Sequence, residues 1–307
     1  MDTIKFLPTH CPLCSAQEDY TVLYKRNFEE SDLNTEAYSA RRVPDRIHYQ
    51  IVRCNQDGMV RSNPVPEESF VYDLYKKSKF IYANETENLA VTYLAALDTA
   101  LQQLSKDAKI LEIGCGNGFL LKGLHAKGYG NVFGVEPSTE AVEKSDPLIR
   151  KQIIADVLQP TTFKPETFDL ICFFQVLEHM PDPDQFLKLC YSLLSPGGFI
   201  VAFNHDAESL QAKILRERSP IIDVGHYCLF SKRTMEKIFR KNQLLPIKVF
   251  SPKNVVSLKH ILLLVPFSKK LKMKLLGTKE GFWGWLLKRN ICIKLGNLCL
   301  TAVKEKK

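Results

Sequence analysis

The segment Ile110-Leu-Glu-Ile-Gly-Cys-Gly-Asn-Gly-Phe-Leu-Leu121 constrains this chain more than any other. An apolar strand, Lys109 to Ile113, runs into glycines at 114, 116 and 118, and an amphipathic helical pattern starts directly after them. Glycine has no Cβ, so a turn built this way lets the backbone come within contact distance of a ligand. The helix that follows offers free N–H groups in its first turn. A GxGxG turn alone is weak, because several nucleotide-binding folds use one. Two acids narrow it. Glu112 lies two residues before the first glycine, and a second strand, Val132-Phe-Gly-Val-Glu136, ends in an acid 18 residues after Gly118. A carboxylate at that neighbouring strand tip can hold a ribose diol.

Further apolar strands follow at the rhythm of a doubly wound sheet. Gln152-Ile-Ile-Ala-Asp156 reads as a third strand ending in an acid, and Phe168-Asp-Leu-Ile-Cys-Phe-Phe174 as a fourth. The loop Gln175-Val-Leu-Glu-His-Met-Pro-Asp-Pro183 leaves the fourth strand. Leu193-Leu-Ser-Pro-Gly-Gly-Phe-Ile-Val-Ala202 reads as helix end, turn and fifth strand. Leu244–Phe250 and Asn297–Val303 are the sixth and the closing antiparallel strand. In this order, from Ile110 to Asn204, the motifs resemble those of class I S-adenosylmethionine-dependent methyltransferases. A nicotinamide dehydrogenase has a different pattern after its glycine turn.

The resemblance implies an α/β fold: a Rossmann-like, seven-stranded, doubly wound sheet. It implies that Gly114, Gly116 and Gly118 approach the methionine part of the cofactor, with Glu112 as a nearby polar anchor. Glu136 is expected on the ribose hydroxyls, Asp156 and the Val157 backbone on the adenine edge, and Gln175 over the sulfonium. Methyl transfer from a sulfonium is an in-line displacement, for which the protein supplies position, desolvation and sometimes a base. The Gln175-Val-Leu-Glu178-His179 loop also resembles the Glu-x-x-Glu-His metal loop of ubiquinone-pathway O-methyltransferases and small-RNA 2′-O-methyltransferases. Gln175 replaces its first acid, which removes a charge that a hard metal would use. Two readings stay open for Glu178 and His179, a structural loop or a functional one with His179 or His226 as general base. His226, Tyr227 and Asn204 are the acceptor-side candidates.

Residues 1–65 form a separate pattern. Cys11-Pro-Leu-Cys14 is a knuckle that can place two thiolates on one tetrahedral metal. A partner lies at Cys54-Asn-Gln-Asp57, with Asp57 where a fourth cysteine would stand. Tyr20–Tyr24 and Arg46–Val52 alternate as paired strands do. With Gly58-Met-Val60 and Asn63-Pro-Val-Pro66, the segment resembles the zinc-ribbon-like module found on some sugar-modifying methyltransferases. That resemblance implies a structural zinc on Cys11, Cys14, Cys54 and Asp57, and a small-molecule acceptor such as a sugar or glycan precursor. A ribbon that keeps its fold without metal is the alternative. Residues 66–107 read as a helical lid and linker, whose Tyr72, Tyr75 and Tyr82 either cover the cofactor and exclude water or pack the lid onto the domain, and 108–307 as the methyltransferase domain.

Charge is divided unevenly. Residues 251–307 hold 13 Lys/Arg against Glu280 and Glu305, a net of +11, which leaves −3 of the chain's +8 for the first 250. The core is therefore no general nucleic-acid surface: no DNA partner is expected, and an RNA 2′-O-methyltransferase would want a basic aromatic groove. The basic character belongs to an insert at 254–293, where Val255–Leu264, Lys269–Leu276 and Phe282–Ile293 each show helical period, with Trp283 and Trp285 near the end. Either it rests on an anionic membrane surface, or it is a helical cap or homodimer face with solvated lysines. Nine scattered cysteines and the absence of a secretion-signal pattern at Met1–Phe6 suggest a cytoplasmic protein, possible membrane contact being peripheral and on the inner face. A non-catalytic cofactor-binding protein is the rival from another class.

Overall fold

The computed structural model describes residues 4–39, 46–77, 86–264, 287 and 289–306. Its centre is a seven-stranded sheet of β1 (Ile110–Ile113), β2 (Val132–Val135), β3 (Ile153–Ile154), β4 (Phe168–Phe174), β5 (Leu194–His205), β6 (Leu244–Phe250) and β7 (Asn297–Lys304). The spatial order is β3-β2-β1-β4-β5-β7-β6. The first five strands pair in parallel, and β7 runs antiparallel to both β5 and β6. Chain order reverses between β1 and β4, so their carboxyl ends open the crevice where such sheets take ligands.

Alternation along the strands divides the core. Leu111, Ile113, Ile171, Phe173, Ile200 and Ala202 pack on one face, while Ile110, Leu170, Cys172, Val201 and Phe203 pack on the other. Both faces are covered, which is why these strands read as continuous apolar runs rather than as half-polar ones. Helix α1 (Thr86–Leu101) covers the second face through Tyr93, Leu97 and Ala100. Helix α2 (Phe119–Ala126) buries Leu120, Leu121 and Leu124 beside it. The opposite face is filled by α3 (Pro183–Leu193), which buries Leu187, Cys190 and Leu193, and by α4 (Lys232–Lys241), through Met235, Ile238 and Phe239. The third strand is shorter than its sequence pattern, so Asp156 stands beyond its end.

The N-terminal segment is not a detached module in its packing. Strands Tyr20–Tyr24, Ile51–Cys54 and Val60–Ser62 form an antiparallel sheet whose fourth strand, Cys228–Leu229, comes from the part of the chain that builds the seven-stranded sheet. Cys11, Cys54 and Met59 share one buried cluster with Phe173, Leu187 and Met235. The second strand of the hairpin lies at Ile51–Cys54, later than the Arg46–Val52 of the sequence pattern, with Tyr20 opposite Cys54. Helix Glu68–Lys76 opens the 66–107 stretch expected as a lid and linker, and the 78–85 stretch with Tyr82 lies outside the described residues.

The insert departs from its helical period at both described ends. Asn254–Ser257 and Asn290–Ile293 pair as an antiparallel ribbon, with Val255 opposite Cys292 and Val256 opposite Ile291, and Leu258–Leu264 is helical. Valine and isoleucine fit a pleated surface well, and docking on α1 decides the outcome. The Val255 N–H donates to Thr92 Oγ1 at 2.9 Å, and the Asn88 and Asn290 amides exchange a pair of hydrogen bonds at 3.0 and 2.8 Å. Lys269–Leu276, Trp283 and Trp285 lie outside the described residues. No helix among the described residues is long and apolar enough to cross a membrane.

Candidate active site

The glycine turn joins β1 to α2, with Gly114, Gly116 and Gly118 all at positive φ. Two of the glycines are required by the protein's own packing. A Cβ at Gly114 would lie 2.6 Å from Val176 Cγ2, and one at Gly118 would lie 2.3 Å from Ile149 Cδ1. Gly118 is the N-cap of α2 and, being glycine, offers no side-chain cap. Glu136 clamps the turn from the tip of β2: its Oε2 accepts from Gly116 N at 2.8 Å and its Oε1 from Ser138 N at 2.9 Å. Glu112 is buried at the end of β1, where its charge adds to burial in raising the Cys115 and Cys172 thiols.

Beyond β3, Asp156 Oδ1 accepts from Val157 N at 2.8 Å and from the Tyr72 hydroxyl at 2.9 Å. These two bonds hold its carboxyl below the usual range. Tyr72 belongs to the helix Glu68–Lys76, so this hydrogen bond ties that helix to the acid beyond β3.

Gln175 leaves β4 in the left-handed region, φ 56°, with its N–H on Phe203 O at 2.6 Å. Its side chain spans from the Tyr93 hydroxyl, 3.5 Å from Oε1, to His205 Nε2, 3.3 Å from its amide nitrogen. The next turn, Leu177–His179, buries Glu178. Its Oε2 accepts from Asn204 Nδ2 at 2.6 Å and from His205 N at 3.0 Å, and its Oε1 accepts from His205 Nδ1 at 2.6 Å. Burial pushes this carboxyl up, but the pull of His205, His226 and His179 outweighs it and holds it well below the ordinary range.

His179 and His226 flank that carboxylate. His179 donates from Nδ1 to Gly225 O at 2.7 Å, with the Tyr75 hydroxyl 3.0 Å away. Burial and the neighbouring His226 push its pKa down to about 4, so it is neutral at physiological pH. His226 donates from Nδ1 to Ile221 O at 2.8 Å. Ligand atoms of Glu178, His179 and His226 lie within 4.8 Å of one another. Both Glu178 oxygens are nonetheless engaged by Asn204 and His205, the arrangement of a structural anchor. Tyr227 is core: it stacks on Tyr49 at 6.3 Å, next to Tyr38, and is 2% exposed. Asn204 is fully buried against Glu178. His205 is the residue the sequence pattern misses. It stands at the end of a strand, and contacts distant in sequence mark it, Glu178 27 residues away and Gln175 30 away.

Beside α4, ligand atoms of Cys11, Cys14, Cys54 and Asp57 lie within 4.8 Å of one another. Cys14 Sγ and Cys54 Sγ are 3.6 Å apart. A tetrahedral zinc with Zn–S near 2.3 Å sets thiolates roughly 3.8 Å apart. Burial raises Cys11 and takes Cys14 to about 12, while at Cys54 the Gln56 and Asp57 N–H groups and the other two thiols outweigh burial and lower it. Asp57 also meets Lys237 Nζ at 3.0 Å, and its carbonyl accepts from Arg233.

A family model described as "Methyltransferase domain" matches residues 86–249. The chain belongs to this methyltransferase family. Human mitochondrial ubiquinone biosynthesis O-methyltransferase is 29% identical over 196 residues, 58% of this chain and 46% of that protein. The ubiquinone biosynthesis O-methyltransferase of Actinobacillus pleuropneumoniae is 35% identical over 117 residues, 35% of this chain and 49% of that one. The chain thus spans about half the length of the curated relatives it matches. Among solved structures, an S-adenosylmethionine-dependent methyltransferase from Archaeoglobus fulgidus superposes over 78% of this chain and all of its own, with 16% identity and a TM-score of 0.48. The seven-stranded sheet is the Rossmann-like class I methyltransferase architecture.

Proposed function

We propose that this methyltransferase binds S-adenosylmethionine at the glycine turn and transfers its methyl group to a hydroxyl of a small molecule. The observation that carries the reading is the Glu136 clamp, which places a carboxylate at the tip of β2 with both oxygens already fixed against the turn. Ribose hydroxyls donating to a pre-oriented carboxylate make charge-assisted bonds, among the stronger ones. Asp156 and the Val157 backbone then serve the adenine edge, and Gln175 stands beside the sulfonium. The bound cofactor supplies an electrophilic methyl on positively charged sulfur. The chain's own residues position it and exclude water, with Tyr72 drawing the lid over Asp156. Oxygen as the methylated atom is supported by the names of the relatives, both O-methyltransferases. Those names favour a hydroxylated ring over the sugar or glycan precursor that the ribbon resemblance suggests. Calorimetry tests the cofactor site. Glu136→Ala should weaken S-adenosylmethionine binding by about 1.5–3 kcal/mol, roughly ten- to hundredfold. Unchanged affinity in a folded variant would remove Glu136 from the site.

We further propose a structural zinc on Cys11, Cys14, Cys54 and Asp57. The 3.6 Å sulfur spacing supports it, as does the setting of cations. Three thiolates and a carboxylate around Zn²⁺ carry a net double negative charge, and Lys237 and Arg233 lie against Asp57 to offset it.

A further inference from the structure

We propose that His205 is the general base of this methyl transfer, its Nε2 taking the acceptor's hydroxyl proton while Glu178 and Asn204 hold the ring in place. The proposal rests on the methyl-transfer reading above and goes beyond it by assigning the proton's destination. His205 ends β5, and Gln175 follows β4, so the two side chains meet at the carboxyl ends of adjacent parallel strands, the edge that carries the cofactor turn.

Hydrogen bonding fixes the tautomer. Glu178 Oε1 lies 2.6 Å from Nδ1, and an ionised carboxylate only accepts, so Nδ1 carries the proton. Nε2 of the neutral ring is then the bare nitrogen. The Gln175 amide donates to it at 3.3 Å, a long neutral contact that an acceptor hydroxyl can displace. Glu178 is itself locked by Asn204 Nδ2 and the His205 N–H. The anchor side chain is 1% exposed whereas that of His205 is 24% exposed, so the ring is reachable and its orienting group is dry.

The neighbouring histidines are worse placed. His179 has the depressed pKa described above, and His226 is buried with its Nδ1 on Ile221 O. The groups facing His205 are Glu178, the His226 ring at 5.2 Å, and Asp223. Burial lowers the basicity of His205, but the charge and hydrogen bond of Glu178, with Asp223, overcome it and raise the pKa above ordinary imidazole. In the step itself the acceptor oxygen bonds to the methyl carbon and the carbon–sulfur bond breaks, its electron pair staying on sulfur. The O–H proton passes to Nε2, leaving an imidazolium against the Glu178 carboxylate.

The test uses the full chain and two readouts. In histidine-labelled protein, the His205 nitrogen resonances should show a proton on Nδ1, a bare Nε2 and a titration midpoint above that of free imidazole side chains. With a soluble catechol as acceptor, His205→Gln should lower kcat at neutral pH by about 10²–10⁴-fold. S-adenosylmethionine affinity should stay unchanged, which also shows that the variant is folded. The deficit should shrink as pH approaches the catechol's own ionisation, because the substrate then arrives deprotonated. A neutral ring protonated on Nε2, or unaltered kcat in His205→Gln, overturns the proposal alone. A wild-type protein that binds cofactor and methylates no hydroxylated probe sinks the O-methyl reading and this proposal with it.

Discussion

At residue scale the glycines show what a sequence can and cannot say. Their spacing marks the turn, but Gly114 and Gly118 are required by Val176 and Ile149, which no local pattern reveals. Gly118→Ala would combine a 2.3 Å clash with a left-handed φ of 70°, and should cost about 2–4 kcal/mol in urea unfolding. Gly130→Ala, with nothing within 4 Å of its added carbon, is the control and should shift stability by less than about 0.5 kcal/mol. Glu136 was legible because a strand-end acid follows a glycine turn at a known interval. His205 was not, because its meaning lies in a carboxylate on another loop. The histidines also set a pH profile. His179 stays neutral in the fold down to about 4, whereas the unfolded chain protonates near 6.5. Stability should therefore fall as pH drops from about 6.5 towards 4, the unfolded state binding the extra proton. Glu178, held low, gives stability that is present above the ordinary carboxylate range and lost below it. His205, held high, acts in the other sense: its contribution is present below ordinary imidazole values and fades as pH rises through its raised pKa. Urea midpoints measured against pH should show a maximum near neutrality, and His179→Asn should flatten its acid limb between 6.5 and 4.

At the scale of elements, the first five strands and the helices between them follow from apolar runs and period, since both sheet faces are buried. The ribbon's fourth strand does not. Cys228–Leu229 is two residues long, and its pairing with Val60–Arg61 is set by tertiary approach. The pairing has consequences, because Ser62 Oγ donates to His226 O and Ser62 N to Tyr227 O. Tyr227 N in turn donates to Glu178 O, so the ribbon is tied to the loop that orients His205. Purified protein should carry close to one zinc per chain by elemental analysis, lost on Cys14→Ser or Cys54→Ser and held less tightly in Asp57→Ala. Because Cys54 and Met59 are buried with Phe173 and Met235, chelation should lower the single melting transition of the whole chain by roughly 2–4 °C per kcal/mol lost. A separate early transition confined to the ribbon, with the main one unmoved, would mean that the two halves fold independently. Metal-free protein straight from a chelator-free purification would mean a ribbon stabilised by packing alone.

At the scale of the whole molecule, the asymmetry of charge is the feature that sequence displays most clearly and fold explains least. A net of +11 lies in residues 251–307, and the insert emerges from a β-ribbon seated on α1 at Thr92 and Asn88. Helical period failed at its ends because strand pairing against a neighbour overrides local preference, as Val255, Val256 and Ile291 show. Between those ends stand Lys269, Lys270, Lys272 and Lys274, interleaved with Leu271, Met273, Leu275 and Leu276. We propose that this stretch draws the protein to anionic lipid, each lysine near the surface contributing about 1 kcal/mol. Attraction of that kind is screened within a Debye length of about 10 Å at 0.1 M salt. The protein should therefore sediment with vesicles containing phosphatidylserine at low ionic strength, stay in solution with neutral vesicles, and be released by salt. Changing the four lysines to glutamine removes about 4 kcal/mol of attraction and should abolish sedimentation, with S-adenosylmethionine affinity retained because none of the four belongs to the proposed cofactor site. Failure of the wild type to bind anionic vesicles at low salt would leave the cap or dimer face, and a concentration-dependent mass in solution would then separate those two.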